Sequence, residues 1–134
     1  MRTDTVAIHG GFEKDEETGT STPPIYQTVS YAYRTAKELA DIFAGRAPGY
    51  IYTRIANPTT YALERRLAQM EGGVGCIATS SGMAAITSVV MGLLRAGDEL
   101  VTASGIFGGT LSLFINTLGR FGVKTELVDA GETH

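Results

Sequence analysis

From Asn57 onward the apolar positions follow two alternating periods. "NPTTYALERRLAQMEGG" places Leu63, Leu67 and Met70 on one stripe, so residues 57–71 are predicted to form a helix with that stripe inward. Asn57 suits its cap, Pro58 its first turn and Gly72-Gly73 its end. A short apolar run at 75–79 predicts a strand. A second helix is predicted over 81–95, with Ile86, Val89, Val90, Leu93 and Leu94 at the spacing of one buried face. "AGDELVTA" reads as a turn and a strand. "GGTLSLFINTLGRFG" reads as a helix with Leu111, Phe114, Ile115 and Leu118 inward and Gly122 near its end, and "VKTELVD" as a further strand. Strands alternating with helices predict an α/β fold with a parallel sheet and right-handed crossovers. Three strands and two crossovers make about half of a doubly wound sheet, and "DAGETH" follows a strand where another helix is expected. The chain therefore reads as a portion of a longer one.

Residues 1–58 differ. They hold all four prolines and five of the six tyrosines. "FEKDEETGTSTPP" is an acidic, turn-rich loop, "IYQTVSYAY" is β-prone, and residues 36–44 predict a short helix with Leu39, Ile42 and Phe43 on one face. Few continuous apolar segments are present to build a separate core. This region is expected to be an arm lying on the rest of its own chain or on a second subunit. Residues 59–134 are expected to begin a larger α/β domain.

Composition narrows the function. Of 134 residues, 43% are hydrophobic and 19% charged, which suits a globular protein with a core. A net charge of −3 argues against nucleic acid as the main partner. The longest apolar region, 83–94, contains Thr87 and Ser88 and falls short of the ~20 residues of a membrane span. The N-terminus lacks the apolar core of a signal peptide. A lone Cys76 forms no internal disulfide and reads as a small buried residue, so a cytoplasmic location is expected.

Three places carry candidate chemistry. In "IATSSGMAAI", Ser80, Ser81, Gly82 and Met83 sit where a strand passes into a helix. The first helical N–H groups there lack intrahelical partners, and Gly82 lets a backbone approach an anion. The same residues also make an ordinary cap and turn, so the motif alone leaves both readings open. In "GYIYTRIANPTT", Tyr52 and Arg54 are two residues apart; on an extended segment both side chains point one way, and a guanidinium can grip a phosphate. An exposed arginine beside a packing tyrosine fits equally well. In "SGIFGGTLSLF", Phe107 is placed to stack on a flat ring or to fill the core. Dinucleotide and P-loop fingerprints are absent, and His9, His134 and Cys76 form no spaced metal set.

Taken together, "HGG", "PPIYQTVSYAY", "YIYTRIANPTTYALERRLAQMEGG", "SSGMAAI", "AGDELVTA" and "FGGT" resemble the transsulfuration, or Cys/Met metabolism, family of pyridoxal-phosphate (PLP) enzymes. The pieces run through nearly the whole chain and are specific as a set, though not singly. "ELADIFAGRAPGYIYTRIANPTT" looks most like the O-acetylhomoserine sulfhydrylases. The resemblance implies the N-terminal portion of a fold-type I (aspartate-aminotransferase-like) PLP-transferase. It implies that Gly82 and Met83 hold the cofactor phosphate through backbone N–H groups, with Ser81 in the same loop. Tyr52 and Arg54 would reach the phosphate of a neighbouring subunit, in a homo-oligomer (dimer or homotetramer) whose active site is shared. Phe107 would stack on the pyridine ring where the family usually has a tyrosine; the ring face is kept and the hydroxyl lost. Tyr52, near a guanidinium, becomes a candidate acid or base.

The family's Schiff-base lysine matches no position here: Lys14, Lys37 and Lys124 all lie outside its sequence context. By the resemblance, the complete enzyme turns O-acetylhomoserine and sulfide into homocysteine and acetate, and these 134 residues alone are inactive. Cystathionine gamma-synthase and methionine gamma-lyase share nearly every motif. A non-catalytic phosphate-binding module and a generic nucleotide-binding domain are the alternatives of another class.

Overall fold

The computed structural model describes residues 2–16 and 18–131, in two compact units, 1–78 and 79–134. The expectation that named His134 falls outside the described residues.

The first unit contains α1 (Thr3–His9), α2 (Ala36–Phe43) and α3 (Pro58–Glu71). Helix α3 begins and ends on its sequence signals: the Asn57 side chain accepts from Thr59 N, Pro58 opens the first turn, and Gly72 adopts a left-handed φ of 65° at the C-cap. Helix α2 starts in a capping box, in which Thr35 accepts from Glu38 N and the Glu38 carboxylate accepts from Thr35 N.

Helix α1 is absent from the sequence expectation. Its N-cap, Arg2, makes no side-chain cap bond, and its stability comes from docking on α3. Gly11 N donates to Gln69 Oε1 (3.0 Å), and Arg66 Nε donates to the Gly10 carbonyl (2.8 Å). Gly11 has φ 73°, and a Cβ there would lie 2.4 Å from Arg66 N and 2.6 Å from Ala62 O. Only glycine permits this approach.

The expected inward stripe on α3 is corrected by the structure. Ala62 is the buried position, whereas Leu63 and Leu67 are 50% and 38% exposed. The small alanine lets Gly10-Gly11 come close, and Leu63 and Leu67 lie exposed among the described residues. The β-prone segment "IYQTVSYAY" likewise forms only an isolated antiparallel bridge, Ser30 to Tyr52.

The second unit contains α4 (Gly82–Leu93), β1 (Glu99–Ala103), α5 (Gly108–Ser112), which runs on as a π-helical turn Leu113–Leu118, and β2 (Lys124–Val128). The strands β1 and β2 are parallel, in a register from Glu99 opposite Lys124 to Ala103 opposite Val128. Turns fasten one end of the pair: Gly97 N donates to Gly122 O, and Lys124 N to Asp98 O. Val90, Phe114, Leu118 and Val123 form the core, with Ile86, Leu94 and Leu100 against it. Leu118 is 1% exposed, so its truncation to alanine removes about 2–5 kcal/mol. Of the expected inward residues, Val89, Leu93 and Ile115 are exposed instead.

No strand forms over residues 75–79. A strand exists through its ladder, and β1 and β2 pair only with each other among the described residues. Ala78 N instead donates to Glu64 Oε1 (2.8 Å), and Ile77 is exposed. Cys76 is half-buried rather than buried, in a shallow cavity of about 300 Å³ beside Tyr61, Glu64 and Arg65.

Candidate functional site

In the first unit the site residues are carried by a hook between the Ser30–Tyr52 bridge and the cap of α3. Residues 53–55 form a turn, closed by Ile55 N and Ala56 N donating to the Tyr52 carbonyl. Tyr52 and Arg54 thus do not lie on one extended segment, which corrects the geometry expected from their spacing. Their side chains meet nevertheless, because the turn brings the Arg54 guanidinium over the Tyr52 ring, 5.3 Å from its centroid. Arg54 has no carboxylate partner among the described residues and remains exposed, an unneutralised cation held against a ring.

The hook is fastened from both sides. Thr53 N donates to Val29 O (2.9 Å), Tyr31 N to Ile51 O (3.3 Å), and the Thr53 hydroxyl to Thr28 O. Behind it, the Tyr33 hydroxyl donates to Tyr50 O (2.9 Å) and accepts from Tyr50 N (3.1 Å), and the Tyr31 and Tyr50 rings are 5.5 Å apart. Burial, with the neighbouring tyrosines Tyr61, Tyr31 and Tyr26, raises the Tyr50 phenol above its ordinary value, so it stays protonated as a packing group. Thr53, Tyr33 and Tyr50 were not singled out as site residues by sequence reading. Their hydrogen bonds span up to 25 residues and have no periodic signature.

In the second unit the site residues open two helices. Ser81 is the N-cap of α4, and its hydroxyl accepts from Ala84 N (3.1 Å). Gly82 N and Met83 N, the next donors, have no protein partner among the described residues. Apart from its chain neighbours and the backbone of α4, no heavy atom lies within 4 Å of a Cβ built on Gly82, so there is open space beside that residue. A 12-residue helix begins here, and its aligned peptide dipoles make this end favourable to an anion by about 0.3–1 kcal/mol when exposed. The Met83 sulfur accepts from the buried Thr110 hydroxyl (3.7 Å), which packs the first turn of α4 against that of α5.

Phe107 is the N-cap of α5 and is 77% exposed, with its ring edge over Gly109. A Cβ on Gly109 would come within 2.9 Å of Phe107 Cε1. Phe107 therefore fills no core among the described residues. Within their own unit, then, Ser81, Gly82, Met83 and Phe107 surround two helix starts packed on each other. This set suits an anionic tail joined to a flat ring.

Among the described residues no group of His, Cys, Asp and Glu could hold a metal ion. None of their helices is long and apolar enough to cross a membrane.

Comparison with known proteins identifies the family. Residues 4–134 match the family model described as Cys/Met metabolism PLP-dependent enzyme. The chain is 40% identical over 132 residues to the O-acetyl-L-homoserine sulfhydrylase of Leptospira meyeri, spanning 98% of this chain and 30% of that protein. It is 41% identical over 128 residues to the L-methionine gamma-lyase of Pseudomonas putida, spanning 96% and 32%. Its structure superposes with a TM-score of 0.87, at 33% identity, on a Campylobacter jejuni protein described as an O-acetylhomoserine (thiol)-lyase, which carries an N'-pyridoxyl-lysine-5'-monophosphate. That match covers 98% of this chain and 32% of the other. The chain thus spans about a third of the length of these relatives, and it belongs to the Cys/Met metabolism family of PLP-dependent enzymes.

Proposed function

We propose that this chain is the N-terminal part of a PLP-dependent sulfhydrylase that converts O-acetylhomoserine and sulfide to homocysteine and acetate. The observation that carries the reading is the start of α4: two unpartnered amides at Gly82 and Met83, with open space beside Gly82 and with Ser81 already committed to the cap. These residues fit the phosphate of PLP. Bound there, the cofactor supplies an electron sink for removing protons from the amino-acid substrate and expelling its γ-substituent.

The chain's own residues have separate tasks. Gly82 and Met83 donate backbone hydrogen bonds to the phosphate, and Ser81 keeps the helix end rigid. Arg54, lent by one subunit to the site of its neighbour, adds charge-assisted hydrogen bonds worth about 1.5–3 kcal/mol each. Phe107 lays its ring against the cofactor ring and, without a hydroxyl, moves no proton. Tyr52, fixed beside the guanidinium, is the acid or base that this segment contributes.

These residues alone provide no covalent anchor. Lys37 is paired with Asp41 (2.7 Å) and Lys124 with Glu99 (2.7 Å). The hydrogen bond to Glu99, and then its charge, raise the Lys124 ammonium above the ordinary lysine value, the wrong direction for an amine that must attack a carbonyl. By this reading the attaching lysine belongs to the complete protein, since none of Lys14, Lys37 and Lys124 lies in the family's lysine context, and the 134-residue chain is inactive by itself.

Methionine gamma-lyase is the second reading, favoured by the Pseudomonas putida relative at nearly the same identity. The test is an assay of the complete protein with PLP. Homocysteine formed from O-acetylhomoserine and sulfide is expected. Methanethiol released from methionine, with no homocysteine from the acetyl ester, overturns the sulfhydrylase reading in favour of the lyase. A complete protein that gains no yellow colour with PLP overturns both.

A further inference from the structure

We propose that Asn57 is a positioning residue for the Arg54 guanidinium, beyond its role as a helix cap. It rests on the reading of Arg54 as a phosphate ligand.

Asn57 is 5% exposed, and its side chain makes three hydrogen bonds. Oδ1 accepts from Thr59 N (2.8 Å), which is the cap. Nδ2 donates to Tyr26 O (3.0 Å) and to Thr53 Oγ1 (3.2 Å). Capping uses only the oxygen, and serine or aspartate would supply it as well. The amide nitrogen is what asparagine adds, and both of its bonds serve the hook. Thr53 stands between Tyr52 and Arg54, and its hydroxyl passes the tether on to Thr28 O. Tyr26, in turn, is tied to α3 through its N–H on Thr59 Oγ1 (2.9 Å). One buried amide thereby joins the start of α3, the segment 24–31 and the middle residue of the hook.

Arg54 needs such help. It has no carboxylate partner among the described residues, so the turn and the Tyr52 ring alone direct it. Fixing the turn before the anion arrives reduces the freedom that binding must remove. A loosened hook leaves the guanidinium in place chemically but aims it less well.

The test uses the complete protein, resolved of PLP and titrated with it. Asn57→Asp keeps the cap oxygen and loses both Nδ2 donors; Thr53→Val loses the hydroxyl with no added charge. Each is expected to raise the PLP Kd about tenfold with Arg54 present. In an Arg54→Gln background each is expected to change it less than about twofold, because the effect passes through the guanidinium. Hydrogen exchange on the PLP-free protein gives a second readout. The Ile55 and Ala56 amides should exchange faster in both variants, while those in the body of α3 keep their protection. An equal loss of PLP affinity with and without Arg54 overturns the proposal, as does unchanged protection at Ile55 and Ala56. If Arg54→Gln leaves the Kd unchanged, the phosphate reading fails instead, and the exchange measurement still decides whether Asn57 holds the hook.

Discussion

The Arg54 guanidinium lies over the Tyr52 ring at 5.3 Å, although Arg54 sits within a turn and the two residues do not share a strand. The ring face and the phenol of Tyr52 can therefore be separated by mutation. Tyr52→Phe keeps the face, so the PLP Kd of the complete protein should stay within about twofold, since exposed cation–π contacts are worth about 0.5–1 kcal/mol. Its kcat should fall by about 10²-fold or more if the phenol moves a proton. Tyr52→Ala loses both, and should raise the PLP Kd by a further factor of about 2–5. Equal kcat in the parent and the Tyr52→Phe variant would remove the acid–base role while leaving the stacked cation intact.

At the start of α4, cap strength and anion affinity move in opposite directions. Ser81→Ala deletes the bond to Ala84 N and should lower stability by about 1 kcal/mol, read as a fall in the unfolding midpoint of the PLP-free protein. Ser81→Asp retains an acceptor and adds a negative charge at the helix N-terminus, so that protein should be as stable as the parent or slightly more so. The same charge next to the Gly82 and Met83 amides repels a phosphate, and the PLP Kd should rise at least about tenfold. Unweakened PLP binding in the aspartate variant would count against the phosphate seat.

What could be read in the sequence was whatever rests on local chemistry. Asn57, Pro58 and Gly72 mark α3 because a cap, a fixed φ and a left-handed residue are needed at those points whatever lies around them. Ser81 marks α4 for the same reason, and the strands expected in "AGDELVTA" and "VKTELVD" form and pair in parallel. What escaped depends on partners distant in the chain. Helix α1 has no cap and stands because Gly11 fits against Ala62 and Arg66. Leu63 and Leu67 have the spacing of a buried stripe but find no partner among the described residues. The 75–79 run has strand composition but no ladder. At the site, spacing brought Tyr52 and Arg54 together for a reason that does not hold. The tether through Asn57 and Thr53 carries no pattern that a single sequence displays.

Gly11 and Gly72 offer a comparison between strain with crowding and strain alone. Both have left-handed backbones, φ 73° and 65°. Gly72→Ala meets open space, so it should cost only the conformational term, about 1–2 kcal/mol. Gly11→Ala adds a Cβ within 2.6 Å of two backbone atoms of α3, which cannot withdraw without moving the helix. Its cost should exceed that of Gly72→Ala by at least about 1 kcal/mol, with α1 losing hydrogen-exchange protection before the rest of its unit. Equal unfolding midpoints for the two variants would show that α1 is not seated on α3 through this glycine.

The Glu99–Lys124 pair closes the first rung of the parallel strands and makes a small part of the stability of that rung sensitive to alkali. The hydrogen bond to Glu99 is the largest cause of the raised Lys124 ammonium, followed by the Glu99 charge and then that of Glu126. A group held protonated more firmly in the folded chain than in the unfolded one contributes stability that is complete below the unfolded lysine value. That contribution is lost as the pH rises through the folded value. Neutral and mildly acidic solutions should leave it untouched; the loss should begin above about pH 10. Glu99→Gln removes the charge and weakens the bond, so the variant should unfold more readily than the parent at neutral pH and converge on it in alkali. The pair is exposed, so the gap should be small and should shrink in high salt. Unfolding midpoints of the two proteins across that range provide the measurement. A gap that stays constant into alkali would mean that Glu99 supports the strand by something other than the Lys124 ammonium, and would free that lysine from the pairing that now makes it a poor nucleophile.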